Sequence, residues 1–191
     1  MKSTIDDFLK YLEIQKRYSK HTIVAYRNDL RTFADHMDLC FDIQNAKETD
    51  KRMISSFVAD LVESGLNPRS VNRKLSAIQS YFDYLVRENL LDSNPAKSIT
   101  RPKQSQRLPS VLRAEQVEQL FEEIQFPETF EGSRDRAILE MFYSCGIRRD
   151  ELVSLKFSNV HLSDKSIKVL GKRNKERIIP ISGRLINTLQ D

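Results

Sequence analysis

The sequence predicts a mainly α protein with a small β-hairpin near its C-terminal end, an α+β chain built in two parts. Three observations predict it. Apolar residues recur at three- and four-residue spacing along most of the chain, the mark of amphipathic helices. Only 5 of the 191 residues are glycine and 6 are proline, too few for a protein made of many turns. Near the end the period changes to two short runs rich in β-branched residues, SIKVL and RIIPI, around the polar turn GKRNKE.

The helices follow in order. Ser3 can cap a first helix carrying Ile5, Phe8, Leu9, Leu12 and Ile14. Ser19 can cap a second, with Ile23, Tyr26, Leu30 and Phe33 as its stripe. Thr49 or Asp50 opens a third, with Ile54, Phe57, Val58 and Leu61, and Gly65 stops it. Asn67-Pro68 starts a fourth, because proline suits the first helical position; its stripe is Val71, Leu75, Ile78, Phe82 and Leu85. These four helices can bury one core and form a domain over residues 1–92. Residues 93–110 hold prolines, serines and the bases Arg101, Lys103 and Arg107, and read as a basic linker. A second unit covers 111–191. An acidic helix starts at Ala114. Ser133 caps the next, with Ala137, Ile138, Met141 and Phe142 inward and Gly146 at its end. A short helix, DELVSLKF, leads to the strands, and a last helix begins near Ser182.

Lys plus Arg number 31 against 27 acids, a net charge of +4. So mild an excess permits nucleic-acid binding without requiring it, and the placement of charge decides. Lys20, His21, Arg27 and Arg31 share the polar side of the second helix. Arg69, Asn72, Arg73 and Lys74 crowd the start of the fourth. Long cations suit phosphate contacts, and Asn72 suits a base edge. The hairpin adds Lys172, Arg173, Lys175 and Arg177 at its tip, which a DNA groove can accept. Each cluster alone also fits a solvated charged surface. Cys40 and Cys145 have no metal-ligand spacing and suit a reducing cytoplasm. The N-terminus is not a signal peptide, and no apolar run is long enough to span a membrane.

The stretch YSCGIRRDEL, residues 143–152, places two arginines after a helix-ending glycine. Ile147, Leu152 and Leu155 can anchor the segment, so the backbone at Arg148 would be rigid. A guanidinium held this way donates two hydrogen bonds to phosphate oxygens and offsets charge that builds during phosphoryl transfer. Glu151 can orient it or cap the helix. An ion pair of Arg148 or Arg149 with Asp150 or Glu151 is the plainer reading.

YSCGIRRDELVSLKFSNV resembles the first arginine box of the tyrosine recombinases, the phage-integrase family, with the form Y-x-T-G-L-R-x-S-E-L-x-x-L-x-W-x-D-[IV]. GKRNKERIIPI is similar to that family's hairpin, G-K-G-N-K-E-R-x-V-P-[LI]. The likeness covers the whole chain and is strongest to bacterial Xer-type recombinases. It implies that residues 1–92 are a SAM-like core-binding domain and that 111–191 are the N-terminal part of a catalytic domain. It implies that Arg148 clamps the scissile phosphate and that Lys172 protonates the leaving 5′-oxygen. Glu151 matches the box's structural acid. Cys145, Ile147, Arg149, Asp150 and Arg173 depart from the pattern. The family also needs a later His-x-x-Arg box and a tyrosine nucleophile. His21, His36 and His161 are the only histidines, none in that motif, and Tyr143 is the last tyrosine. The resemblance therefore implies a recombinase truncated before its last motifs, which binds double-stranded DNA but does not cleave it. Subunits of a synaptic tetramer would be the full protein's partners. No cofactor and no metal are expected. A non-catalytic DNA-binding module is the alternative. The resemblance does not choose among chromosome dimer resolution (a task of chromosome partition and cell division), integration and inversion.

Overall fold

A computed structural model describes residues 1–104, 111, 113–171 and 175–190. The chain divides into two compact units, Met1–Leu108 and Pro109–Asp191. The fold is mainly helical with a small antiparallel sheet, as the sequence predicts.

The N-terminal unit holds α1 (Lys2–Ile14), α2 (Lys20–Phe41), α3 (Lys51–Glu63) and α4 (Pro68–Arg87). Local chemistry fixes the helix starts. Ser19 accepts the amide of Thr22, Asp50 accepts that of Met53, and Asn67 accepts that of Arg69, with Pro68 following as the first helical residue. Gly65 takes a left-handed φ of 78° after α3, a conformation that a Cβ disfavours. Ser3 does not cap α1. The helix begins at Lys2 because the Met1 carbonyl already accepts the Ile5 amide, which leaves Ser3 in the first turn. The predicted stripe of α4 is fully buried, and Tyr81 joins it. Leu30, Phe33, Ile54, Phe57, Ile78, Phe82 and their neighbours form one core. Burial pushes the Tyr81 phenol up to about 12.

This unit runs past residue 92. Ala96 and Ile99 are buried in the same core. Asn94 donates to the Gln79 carbonyl and to Asp83, and Gln79 donates to the Ala96 carbonyl. The first part of the basic stretch is therefore strapped onto α4.

The C-terminal unit contains α5 (Ala114–Glu123), α6 (Phe130–Cys145), α7 (Arg149–Val153) and α8 (Gly183–Gln190). Its strands are β1 (Val160–His161), β2 (Ser166–Leu170) and β3 (Glu176–Pro180), paired antiparallel in the order β1-β2-β3. Lys168 faces Ile178 and Val169 faces Arg177. The inward residues of β2, Ile167 and Val169, pack with Met141, Ile147, Ile181 and Leu185.

The second helix of this unit starts earlier than Ser133. Thr129 caps it, and Gly132 passes through its first turn. A Cβ on Gly132 would lie 2.0 Å from the Pro127 carbonyl oxygen, so this glycine permits close packing instead of breaking the helix. Phe142, expected inward, is partly exposed, and Glu140 is buried in the helix's place of contact instead. Glu140 accepts from Arg136, Arg184 and Thr188. The last two lie on α8, which packs against α6 and satisfies the acid. Tyr143 is likewise not a core residue; its side chain is half-exposed.

Candidate functional site

The arginine stretch forms the join between α6 and α7. Gly146 ends α6 with a left-handed φ of 55°, and the chain turns sharply there. Ile147 is buried and anchors the turn. Arg148 is then the residue that caps α7. Its backbone N–H donates to Oε2 of Glu151 at 2.9 Å, and its Nη1 donates to Oε1 at 2.9 Å. Both the main chain and the side chain of Arg148 are thus held by one carboxylate. The side chain nevertheless stays 69% exposed. A charged group fixed at its base and open to solvent can receive an anionic ligand without first paying for its own ordering.

Glu151 is buried and accepts a second arginine. Arg177 on β3 donates Nη1 to Oε1 at 2.6 Å and Nη2 to Oε2 at 2.8 Å, a bidentate pair. The Arg177 hydrogen bonds are the main cause holding the Glu151 carboxyl down to about 2. Burial opposes them, and the Arg148 N–H and guanidinium add to them. Arg177 is correspondingly shifted up by Glu151. Gly171, at the end of β2, lies against this pair: a Cβ there would sit 3.3 Å from both Arg177 Nη1 and Glu151 Oε1. Its N–H donates to the Lys175 carbonyl at 2.7 Å, closing the base of the hairpin. One acid therefore ties the start of α7 to the stem of the β2–β3 hairpin.

The other residues singled out from sequence sort into five groups. Lys20, His21, Arg31, Arg69, Lys103 and Lys175 are exposed, and Arg27 is half-buried; no ion-pair partner for them lies among the described residues. Arg73 and Lys74 instead pair with Asp29, which is only 1% exposed. Asn72 is buried; its amide donates to the Pro102 carbonyl at 3.0 Å, and Arg101 donates to Ser76 and Gln79. Arg177 is engaged with Glu151 as described. Arg107, Lys172 and Arg173 lie outside the described residues.

Sequence reasoning passed over Asp29 and Glu140. Asp29 sits on α2 between the apolar positions Tyr26, Leu30 and Phe33, and an acid inside a buried stripe is a readable signal that a cation faces it. Glu140 carries the same signal between Ala137 and Met141. The partners, Arg73 and Lys74 for one and Arg184 and Thr188 for the other, come from distant segments.

A helical unit followed by a unit with an arginine at a helix start and a basic hairpin has the plan of a phage-integrase type of protein. Residues 5–89 match the phage integrase N-terminal SAM-like domain, and residues 110–191 match the phage integrase family. The chain belongs to this family, the tyrosine recombinases. It is 37% identical over 190 residues to the tyrosine recombinase XerD of Listeria innocua serovar 6a, covering 100% of this chain and 64% of that protein. The tyrosine recombinase XerC of Xanthomonas axonopodis pv. citri is 34% identical, with 99% of this chain and 64% of that protein covered. The chain thus spans 64% of the length of these curated relatives. In fold it is similar to the Tn1549 transposon integrase in complex with a circular intermediate DNA, at a TM-score of 0.73 and 12% identity over 98% of this chain and 63% of that one. It is similar also to the XerH site-specific recombinase bound to its difH substrate, at a TM-score of 0.65 and 21% identity over 99% of this chain and 56% of that one.

Proposed function

We propose that this chain is the DNA-binding and phosphate-gripping part of a site-specific recombinase. In the complete reaction a tyrosine attacks the scissile phosphate, the 5′-oxygen leaves with a proton, and a 3′-phosphotyrosyl link conserves the bond energy for rejoining. Arg148 holds the non-bridging oxygens and offsets their growing charge. Lys172 supplies the proton to the leaving oxygen, a role that suits an ammonium on a flexible stem. The observation that carries this reading is Arg148, whose backbone N–H and guanidinium Nη1 are both held by Glu151 while the side chain as a whole stays open to solvent.

DNA contacts come from Lys20, His21, Arg27, Arg31 and Arg69 in the N-terminal unit, from Lys103 and Arg107 after it, and from Arg173 and Lys175 on the hairpin. Arg101, Asn72, Arg73, Lys74 and Arg177 add to these contacts and also hold the neighbouring segments in place through their hydrogen bonds. The 191 residues contain neither the His-x-x-Arg box nor a tyrosine that follows it. Covalent catalysis needs that nucleophile, so on this reading these residues alone bind without cleaving. Assembly with further recombinase subunits on DNA, in the cytoplasm, completes the reading. Among the described residues no helix is long and apolar enough to cross a membrane.

A nicked suicide duplex tests this. The 191-residue chain should bind it with an affinity that falls steeply with salt and leave no covalent adduct. In a recombinase chain carrying the later motifs, Arg148→Ala should keep binding and lose covalent trapping. Covalent capture by the 191 residues would overturn the assignment of chemistry to a tyrosine elsewhere. Salt-insensitive or absent binding would overturn the DNA-binding role.

A further inference from the structure

On the N-terminal unit, apart from the residues assigned above, three side chains of different chemistry converge. His36 and Cys40 lie one turn apart near the end of α2, and Asp60 faces them from α3. The His36 Nε2 is 3.6 Å from Asp60 Oδ2, and its Nδ1 is 3.7 Å from Cys40 Sγ. One ligand atom from each residue lies within 4.8 Å of the other two.

The contact with Asp60 is too long for a hydrogen bond. His36 Nε2 is a buried atom with no hydrogen-bond partner among the described residues, and native structures rarely leave such atoms unmet. Two ligands of one tetrahedral zinc-class ion stand about 3.3–3.6 Å apart, given metal–nitrogen, metal–oxygen and metal–sulfur lengths of about 2.0–2.3 Å. The Nε2 to Oδ2 gap already has that width. The imidazole is also held in place. Its ring lies 5.0 Å from that of Phe57 and 6.0 Å from that of Phe41, centre to centre. Cys40 and Asp60 are exposed and leave an entry path from solvent.

We propose that His36, Cys40 and Asp60 form a binding site for one divalent ion of the zinc class. His36 gives the Nε2 lone pair, Asp60 one carboxylate oxygen and Cys40 its sulfur, with water as the fourth ligand. Binding releases the Cys40 thiol proton to solvent, so the ion's two positive charges meet one thiolate and one carboxylate. The ring proton then resides on Nδ1, and Cys40 turns its sulfur from that nitrogen towards the ion. The thiolate and imidazole select zinc or cobalt over magnesium or calcium. The ion bridges the end of α2 to α3, so it stabilises the four-helix unit.

Cobalt(II) titration of the reduced, metal-free chain tests the site. A thiolate-to-cobalt charge-transfer band should grow to one equivalent, with about one proton released per ion. Zinc should bleach that band and raise the unfolding midpoint, and magnesium should do neither. Cys40→Ser should lose the band and the zinc-induced rise, whereas Cys145→Ser should keep both. Asp60→Asn, an exposed change that leaves the fold intact, should weaken cobalt binding at least tenfold. No band in the wild-type chain would overturn the proposal. So would a band that survives Cys40→Ser, or an affinity unchanged by Asp60→Asn.

Discussion

The two units solve the problem of a buried acid in the same way but against different backgrounds. In the N-terminal unit, Asp29 meets Arg73 and Lys74 inside a continuous core that four helices and the strap share. In the C-terminal unit, Glu151 meets Arg148 and Arg177 beside a core of few side chains, while large apolar residues such as Phe157, 89% exposed, stand in water. Packing holds the first unit, and these ion pairs satisfy the one buried acid described there. In the second, the charged cluster carries much of the order at the functional site. Sites that must present a charge to a ligand are often supported this way, at some expense in stability.

Breaking the core of the first unit should give the largest effect. Phe82→Ala should destabilise α1–α4 by about 3–5 kcal/mol, the usual range for a buried phenylalanine, read by denaturant unfolding or amide exchange. Next is the acid of the second unit. Glu151→Gln keeps the shape but removes the charge that two arginines face. It should cost about 2–3 kcal/mol there, less than a fully buried pair because both arginines are partly solvated, and it should raise the mobility of Arg148 in side-chain NMR. A pH titration sharpens the same point. The Glu151 carboxyl titrates near 2 in the folded chain against an ordinary 4.5. The unfolded chain therefore takes up the proton first, and this contribution is complete above about pH 4.5 and fades as pH falls towards 2. Acid unfolding of the wild-type chain should be steeper over that window than that of Glu151→Gln. The smallest effect belongs to Arg149, whose pair with Asp150 is almost fully solvated. Arg149→Ala should change stability by less than about 0.5 kcal/mol. A larger loss would mean that the second arginine of the stretch has a partner not seen here.

Much of this architecture was legible in the sequence. The stripes of α2 and α4, the caps at Ser19, Asp50 and Asn67, and the β2–β3 hairpin are local patterns, and local patterns survive folding. The arginine at the head of α7 was legible for the same reason, since a glycine, a buried isoleucine and an acid three residues on are all short-range. What stayed hidden was long-range. Nothing near Glu151 says that Arg177, 26 residues away, will seize it. Nothing near Asn72 says that the Pro102 carbonyl will cover it. Ser133 misled because a serine of capping type reads as a helix start unless the Thr129 hydroxyl that accepts the Gly132 amide is known. Charge clusters were the least readable: Arg73 and Arg69 are four apart on one face, yet one neutralises a buried acid and the other meets solvent.

The strap on α4 has a practical consequence. Anyone excising the helical unit by its last long helix would cut near residue 92 and peel away Ala96 and Ile99, opening the apolar core in which both are buried. Such a piece should clump on storage, while one carried through residue 103 should stay dispersed, because the tail is the bundle's own lid.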